Sequence, residues 1–411
     1  MEEWKKCRLG EICKIYGRIG FRGYTVEDLV EDADKGAISL SPTNLIGGVL
    51  DLSKPTYISW DKYYESPEIM IEEDDVVIVK TGSSVGRTAI IRNVLHPMTL
   101  NPQLVVLKDV VINKRYLGYL VKSRDFQGKL ASIVVGSAIP TLSQKNLANL
   151  VIRVPSKETQ ERIACILSAL DDKIELNNRI NHNLEQQIQS LYREWFIDNP
   201  KTEWATIALS EVATFVSGYS YKGNEIVDSS ETAMATIKNF ERNGGFKLDG
   251  YKPVSPSSKL KEEQHAELFD ILVAHTDLTQ NAEVIGNAEI ILSKDSYSDI
   301  IFSMDLVKVV AKESFPYQFL LALLLKNPNF KSHCIGYVNG TTVLHMNKRA
   351  LPDFNTKIPT CEEADRMNEI AKAIFTKMYE NLCEIANLTK LRDSLLPKLM
   401  SGELKINEID C

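Results

Sequence analysis

From Ile163 to Trp195 the chain reads IACILSALDDKIELNNRINHNLEQQIQSLYREW, and the spacing within this stretch decides the fold. Ile163, Leu167, Leu170, Ile174, Asn177, Asn181, Leu184, Ile188, Leu191 and Trp195 step by alternating fours and threes. A helix turns every 3.6 residues, so this rhythm keeps one narrow stripe facing a partner, which is the pattern of a coiled coil. Adding 204 to each number gives Met367, Ala371, Ile374, Met378, Asn381, Ile385, Leu388, Arg392, Leu395 and Leu399, so the stripe recurs near the C-terminus. Two helices are expected, near 157–197 and 361–400, each about 60 Å long at 1.5 Å per residue. A helix buried in a larger domain would also be apolar on one side, but polar residues flank this stripe closely. The two helices should pair antiparallel, with Asn177, Asn181 and Asn381 fixing the register at some cost in stability, as buried amides do.

The rest of the chain repeats as well. Trp4, Leu9, Glu11 and Ile12 match Trp204, Leu209, Glu211 and Val212 at an offset of 200. Asp75-Val76-Val77-Ile78 matches Asp270-Ile271-Leu272-Val273 at 195, and Gly136-Ser137-Ala138-Ile139 matches Gly340-Thr341-Thr342-Val343 at 204. An ordered series of this kind marks tandem copies, each a globular segment followed by a long helix. The expected class is α+β: two similar mixed α/β domains, 1–156 and 201–359, alternating with helices in 157–200 and 360–411, related by a pseudo-twofold internal repeat. Strands are expected at Asp75–Lys80, Thr88–Ile91 and Leu104–Leu107, and short helices at Lys114–Ser123 and Pro316–Asn327.

At 411 residues the chain exceeds one ordinary core, and its apolar share of 44% is that of a folded protein. No apolar run reaches transmembrane length, and Met1-Glu2-Glu3-Trp4-Lys5 does not open a secretory signal, so a cytoplasmic protein without a membrane partner is expected. Seven cysteines without a CxxC pair read as reduced thiols. The net charge of −7 argues against a polyanion partner only if it is evenly spread. Val76 to Lys108, Phe126 to Lys157 and Ser314 to Pro352 contain no Asp or Glu yet keep Lys and Arg. Such stretches hold either buried strands or an anion-facing surface.

These signposts together resemble the specificity subunits of type I restriction–modification systems. Asp75-Val76-Val77-Ile78-Val79-Lys80-Thr81-Gly82 with Val85-Gly86-Arg87 is similar to that family's strand–loop–strand motif. Gly136-Ser137 followed by Leu142, Asn146, Leu147 and Val154-Pro155 looks like the exit from a recognition domain. Gln160-Glu161-Arg162-Ile163-Ala164 resembles the start of its first conserved helix, and Leu395-Leu396-Pro397-Lys398-Leu399-Met400-Ser401-Gly402-Glu403-Leu404 its C-terminal ending. The resemblance covers nearly the whole chain. Two departures are Phe269, where the family commonly has Gly, and His275-Thr276-Asp277, which lacks the counterpart of Gly82.

The resemblance implies two target-recognition domains that read a bipartite, asymmetric site on double-stranded DNA at a fixed gap. It implies two methyltransferase subunits docked on the helices, with restriction and translocase subunits beyond them. S-adenosylmethionine, ATP and magnesium would belong to those partners, and none to this chain. Phosphate contacts would come from Arg18, Arg22, Lys80, Arg87, Lys145, Lys222, Lys348 and Arg349, with Ser83 in the loop before Arg87. Base reading would fall to Arg87, Gln144, Gln280, Asn281 and Asn339, and stacking to Tyr219 and Tyr221.

Motifs for catalysis in the chain itself are weak. Asn327-Pro328-Asn329-Phe330 lacks the second proline of an amino-methyltransferase element and reads as a helix cap. No GxxxxGK[ST] is present, although Gly82-Ser83-Ser84-Val85-Gly86-Arg87 either cradles a phosphate through backbone N–H groups or is a plain turn. The six histidines do not cluster, His333-Cys334 being the one faint zinc hint. Pro352-Asp353 with Glu403-Leu404-Lys405 imitates a nuclease core across two distant segments. A coiled-coil scaffold that binds no DNA, and a self-contained methyltransferase or nuclease, are the competing readings.

Overall fold

A computed structural model describes residues 4–18, 20–46, 48–341 and 343–404. Met1-Glu2-Glu3, Thr342 of the repeat and the tail from Lys405 lie outside the described residues. The chain forms two units, Met1–Asp172 with Leu388–Cys411, and Lys173–Asn387.

In the first unit, strand Val76–Val79 is an unbroken apolar run because both its faces are covered. Alternate side chains serve two different cores. Val76 and Ile78 join Val105, Leu107 and the helical residues Leu117 and Leu120, whereas Val77 and Val79 join Leu104, Val106 and Met98. The strand sits inside an antiparallel sheet ordered Lys14–Tyr16, Leu104–Lys108, Val76–Val79, Thr88–Ile90. A second sheet holds Gly36–Leu40 between parallel Met98–Leu100 and antiparallel Tyr57–Ser59. Helices Lys114–Lys122 and Arg124–Ser132 cover the first sheet's other face, with Ser123 capping the second of them.

The second unit repeats this plan. Its antiparallel sheet runs Ala213–Ser217, Leu306–Ala311, Ile271–Ala274, Ala288–Ile290, and Thr232–Ala235 lies parallel to Asp299–Phe302. Helices Gln318–Leu325 and Pro328–Ile335 stand where Lys114–Lys122 and Arg124–Ser132 stand in the first copy. Asn327 accepts from the Phe330 N–H at 2.7 Å, so the Asn-Pro-Asn-Phe segment is a helix cap. The position before each central strand favours glycine for a physical reason: Asp74 and Phe269, which occupy it here, both lie in the left-handed region at φ 62° and 72°. Phe269 is held there by its ring contacts with Phe319 and Tyr379.

The long helices span Lys157–Tyr192, passing into a π-helical turn at Arg193–Asp198, and Cys361–Ser401. Ser156 caps the first through the Thr159 N–H, and the buried Gln160 accepts from Asn113 N–H while donating to Pro155 O. Thr360 opens the second with both its N–H and hydroxyl donating to Glu363. The division between units falls within both helices, because each half packs on a different core. Ile163, Ala164, Leu167 and Leu399 belong to the first, and Ile188, Met367, Ala371 and Phe375 to the second. Leu395 lines the first core, while Leu191, Ile374 and Met378 line the second. Leu170, Ile174, Leu184 and Leu388 are partly buried along the same stripe.

Polar residues in the stripe find partners across it. Asn381 Nδ2 donates to Asn181 Oδ1 at 2.7 Å, Asn181 Nδ2 to Met378 O at 3.3 Å, and Asn177 Nδ2 to Glu384 at 2.8 Å. Rising numbers on one helix meet falling numbers on the other, so the pair is antiparallel. In the first unit Arg392 pairs with Asp171 at 2.9 Å, and Arg92 and Tyr119 converge on the same carboxylate at 3.0 and 2.7 Å. Burial alone would raise the Asp171 pKa, but the bonds from Arg392 and Tyr119 outweigh it and hold the group below the usual range. In the second unit Lys326 bridges Glu289 and Glu185. Cys7, Cys13, Cys334, Cys361 and Cys383 are free, and Cys411 lies outside the described residues.

Replacing Asn181 and Asn381 together with Leu should raise the melting temperature, at about 2–4 °C per kcal/mol for a unit of this size, while admitting slipped registers. Cysteine crosslinking across the seam reads the register, and one unchanged register in the double variant contradicts the assigned role. Asp171→Asn should destabilise by about 3 kcal/mol by stranding two guanidinium groups. Because the folded pKa is depressed, this contribution is present above about pH 3.9 and fades as pH falls through the folded value. Thermal unfolding of the wild type and the variant should therefore converge in acid.

Candidate nucleic-acid interface

In the first unit two loops are sewn together at one end of the central sheet. Leaving Val79, the chain turns through Lys80–Arg87. A second loop, 134–142, returns alongside it. Gly82 N–H donates to Pro140 O at 3.0 Å, Leu142 N–H donates to Lys80 O at 2.7 Å, and Thr81 bridges to Thr141. Ser143 then caps the short helix Gln144–Ala148. The sequence-derived candidates Lys80, Ser83, Arg87, Gln144 and Lys145 thus gather on adjoining loops. Gly17 leaves room for Gln144, since a Cβ there would stand 2.9 Å from its Nε2.

The three cations of this group have no carboxylate partner among the described residues, unlike most others nearby. Ser83, Arg87, Gln144 and Lys145 are exposed, and burial draws the Lys80 ammonium below its ordinary pKa. An approaching anion would reverse that shift. Elsewhere in the acid-free stretch Val76–Lys108, burial is the larger cause: its strands are covered, Arg92 is paired to Asp171, and Lys108 is paired to Asp75 at 2.6 Å. The glycine loop is a turn, not a backbone phosphate cradle. The N–H groups of Gly82, Val85, Gly86 and Arg87 already donate to Pro140, Gly82, Val79 and Ser84.

The same pair of loops recurs in the second unit. Thr276–Asp277 pairs with Leu344–Met346, which pairs with Val338–Asn339, and Gln280 Nε2 ties the loops by donating to Thr341 O at 2.6 Å. The loop is longer here, running from Ala274 to Gly286 against Val79 to Gly86. The residue that replaces Gly82 organises it. Buried Asp277 accepts from the Thr279 N–H and hydroxyl and from the Val284 N–H. Asn281, Asn339, Lys348 and Arg349 are exposed around this loop pair, with Asn339 opposite His345. Burial, then the neighbouring His345 and Lys348, hold His275 below the usual histidine pKa.

Other candidates are committed to the fold. Arg18 is 3% exposed and donates to Leu100 O, Thr99 Oγ1 and Arg22 O, so it cannot meet a phosphate. Arg22 is ion-paired to Glu68. Tyr219, also 3% exposed, donates to Glu225 at 2.7 Å and accepts from Ser257 N–H, which leaves no ring face for stacking. Tyr221 packs on the small core of Met234, Val254 and Ile301, while Lys222 remains exposed with its N–H donating to Glu225. Spacing alone could not separate these, because a buried arginine and an exposed one look alike in sequence. Among the described residues no group of three His, Cys, Asp or Glu could hold a metal, and no helix is long and apolar enough to cross a membrane. His333 meets Ala350 O at 2.8 Å, and burial pushes the Cys334 thiol up to about 12.

Residues 1–186 match the family described as the type I restriction modification DNA specificity domain. Over 369 residues the chain is 25% identical to the type I restriction enzyme MjaIX specificity subunit of Methanocaldococcus jannaschii, covering 85% of this chain and 82% of that one. It is 24% identical to the HindI specificity subunit of Haemophilus influenzae, covering 98% and 100%. In fold it is similar to the crystal structure of a type I restriction-modification S subunit from M. genitalium, with a TM-score of 0.58 at 14% identity over 97% of this chain and 96% of that one.

Lys80→Ala, Arg87→Ala and Lys145→Ala should each weaken binding to any duplex and reduce the slope of log affinity against log salt by about one. Arg18→Ala should leave that slope unchanged and lower thermal stability, by about 1–3 kcal/mol, through the acceptors it strands. A reduced slope for Arg18→Ala, or none for the other three, contradicts this placement.

Proposed function

We propose that this chain is a specificity subunit of a type I restriction–modification system, which selects the DNA sequence on which a type I complex acts and performs no catalysis itself; the family match over residues 1–186 and the relatives aligned along most of the chain support this reading. One observation carries this reading: the same pair of sewn loops occurs in both units and presents different residues in each. Lys80, Arg87, Gln144 and Lys145 in one copy, and Asn281, Asn339, Lys348 and Arg349 in the other, supply phosphate contacts and base-edge donors and acceptors. Unlike residues on like frames imply unlike half-sites, hence an asymmetric target in two parts. We take 1–156 and 201–359 as the two reading domains and the helices of 157–200 and 360–411 as the spacer that sets the gap.

The outer faces of these helices, where Leu176 and Leu391 are exposed, would receive methyltransferase subunits, two per specificity chain. Those partners would bring S-adenosylmethionine, and the restriction and translocase subunits ATP and magnesium. The whole assembly would work in the cytoplasm.

Selection from random-sequence duplexes, with the chain alone and with its methyltransferase, tests the proposal. The complex should enrich one gapped, asymmetric motif and methylate it, while the chain alone methylates nothing. A coiled-coil scaffold would show no salt-dependent DNA affinity, and a self-contained enzyme would modify or cut DNA without partners.

A further inference from the structure

The tip of the second loop in the first unit carries no charge and almost no hydrogen-bonding side chains. It reads Val135-Gly136-Ser137-Ala138-Ile139, all exposed, with Val135 at 57% and Ile139 at 65%. Exposed single aliphatics are ordinary on a protein surface. Three features separate this pair. The loop is held in shape: Val135 N–H donates to Thr141 O at 3.0 Å, Thr141 N–H to Val135 O at 2.8 Å, and Gly82 N–H ties Pro140 to the neighbouring loop. Gly136 sits at φ 93°, where an added Cβ would stand 2.8 Å from Ile139 O, so the turn is tight and Val135 and Ile139 flank it. Lastly, the tip stands on the loop pair that carries the unpartnered cations Lys80 and Arg87 and leads directly into Lys145. Phosphate contacts from those cations would bring an apolar, pre-ordered edge against the bases.

In the major groove one base offers an apolar feature, the 5-methyl of thymine. The second unit differs at the corresponding place: among its described residues Asn339 stands exposed where the first unit has Val135, Val343 is half-buried where the first has the exposed Ile139, and Gln280 binds Thr341 O. We propose that the first unit recognises its half-site partly by apolar contact, seating a thymine methyl against Ile139 and Val135, whereas the second unit relies on amides. This inference rests on the DNA-recognition reading above and names the base chemistry one unit selects.

Deoxyuridine differs from thymidine by that methyl alone and keeps every Watson–Crick donor and acceptor. The test uses the assembled complex and a duplex carrying its selected motif, each thymine in turn replaced by deoxyuridine. At least one replacement in one half-site should weaken binding about fourfold, the worth of one buried methyl-sized group. In Ile139→Ala the same replacement should cost clearly less, because only Val135 still meets the methyl, with the salt slope and melting temperature unchanged because the residue is exposed and uncharged. The inference is overturned if every replacement is neutral, if neither half-site contains thymine, or if Ile139→Ala remains as sensitive as the wild type. A complex that prefers no sequence at all sinks the proposed function as well, so the two failures are distinguishable.

Discussion

Asn381 donating to Asn181 is the contact that most of this architecture depends on. An aliphatic stripe of heptads can slide by a turn at little cost, since one leucine packs much like the next. An amide that must meet another amide cannot. With Asn177 on Glu384, the pair selects one alignment of two helices whose halves complete two separate cores. Arg392 obeys the same logic. It is the one cation on a seam of apolar and amide side chains, and it stands there because the Asp171 carboxylate, which also accepts from Arg92 and Tyr119, pairs with it. A half-satisfied cluster in that place would destabilise the helix pair instead of fixing it.

Each proposed reading surface follows from the strand beneath it. Val76–Val79 and Ile271–Ala274 are covered on both faces, so neither can offer side chains to a ligand, and the chemistry moves to the loops at their ends. Hydrogen bonds between the loops give each surface a defined shape. The two copies reach this by different means, a glycine at position 82 with φ 109° and a buried carboxylate at Asp277. Such freedom is what lets the frame stay constant while its exposed residues vary.

Much of this was legible in the sequence, for reasons of period. The alternating three-and-four spacing located both long helices to within a few residues. The run Val76–Val79 and its copy at Ile271–Ala274 located the sheets. Side-chain destinations were not legible. Arg18 and Arg87 both sit beside glycines in polar surroundings, yet one is enclosed by Thr99 and Leu100 and the other is open. Tyr219 looked like a stacking residue because its partner Ser257 lies far along the chain. The missing glycine at Asp277 looked like a loss, because the bonds that replace it run to residues whose role appears only once the loop is closed.

On the proposed function, each loop pair reads its own part of the DNA target. Mapping methylated bases in a host whose chain has residues 80–87 and 134–145 exchanged for those of a type I specificity subunit with a different target separates the two halves. One half of the methylated motif should change, while the other half and the intervening gap persist. A motif that changes in both halves, or in neither, would contradict that reading.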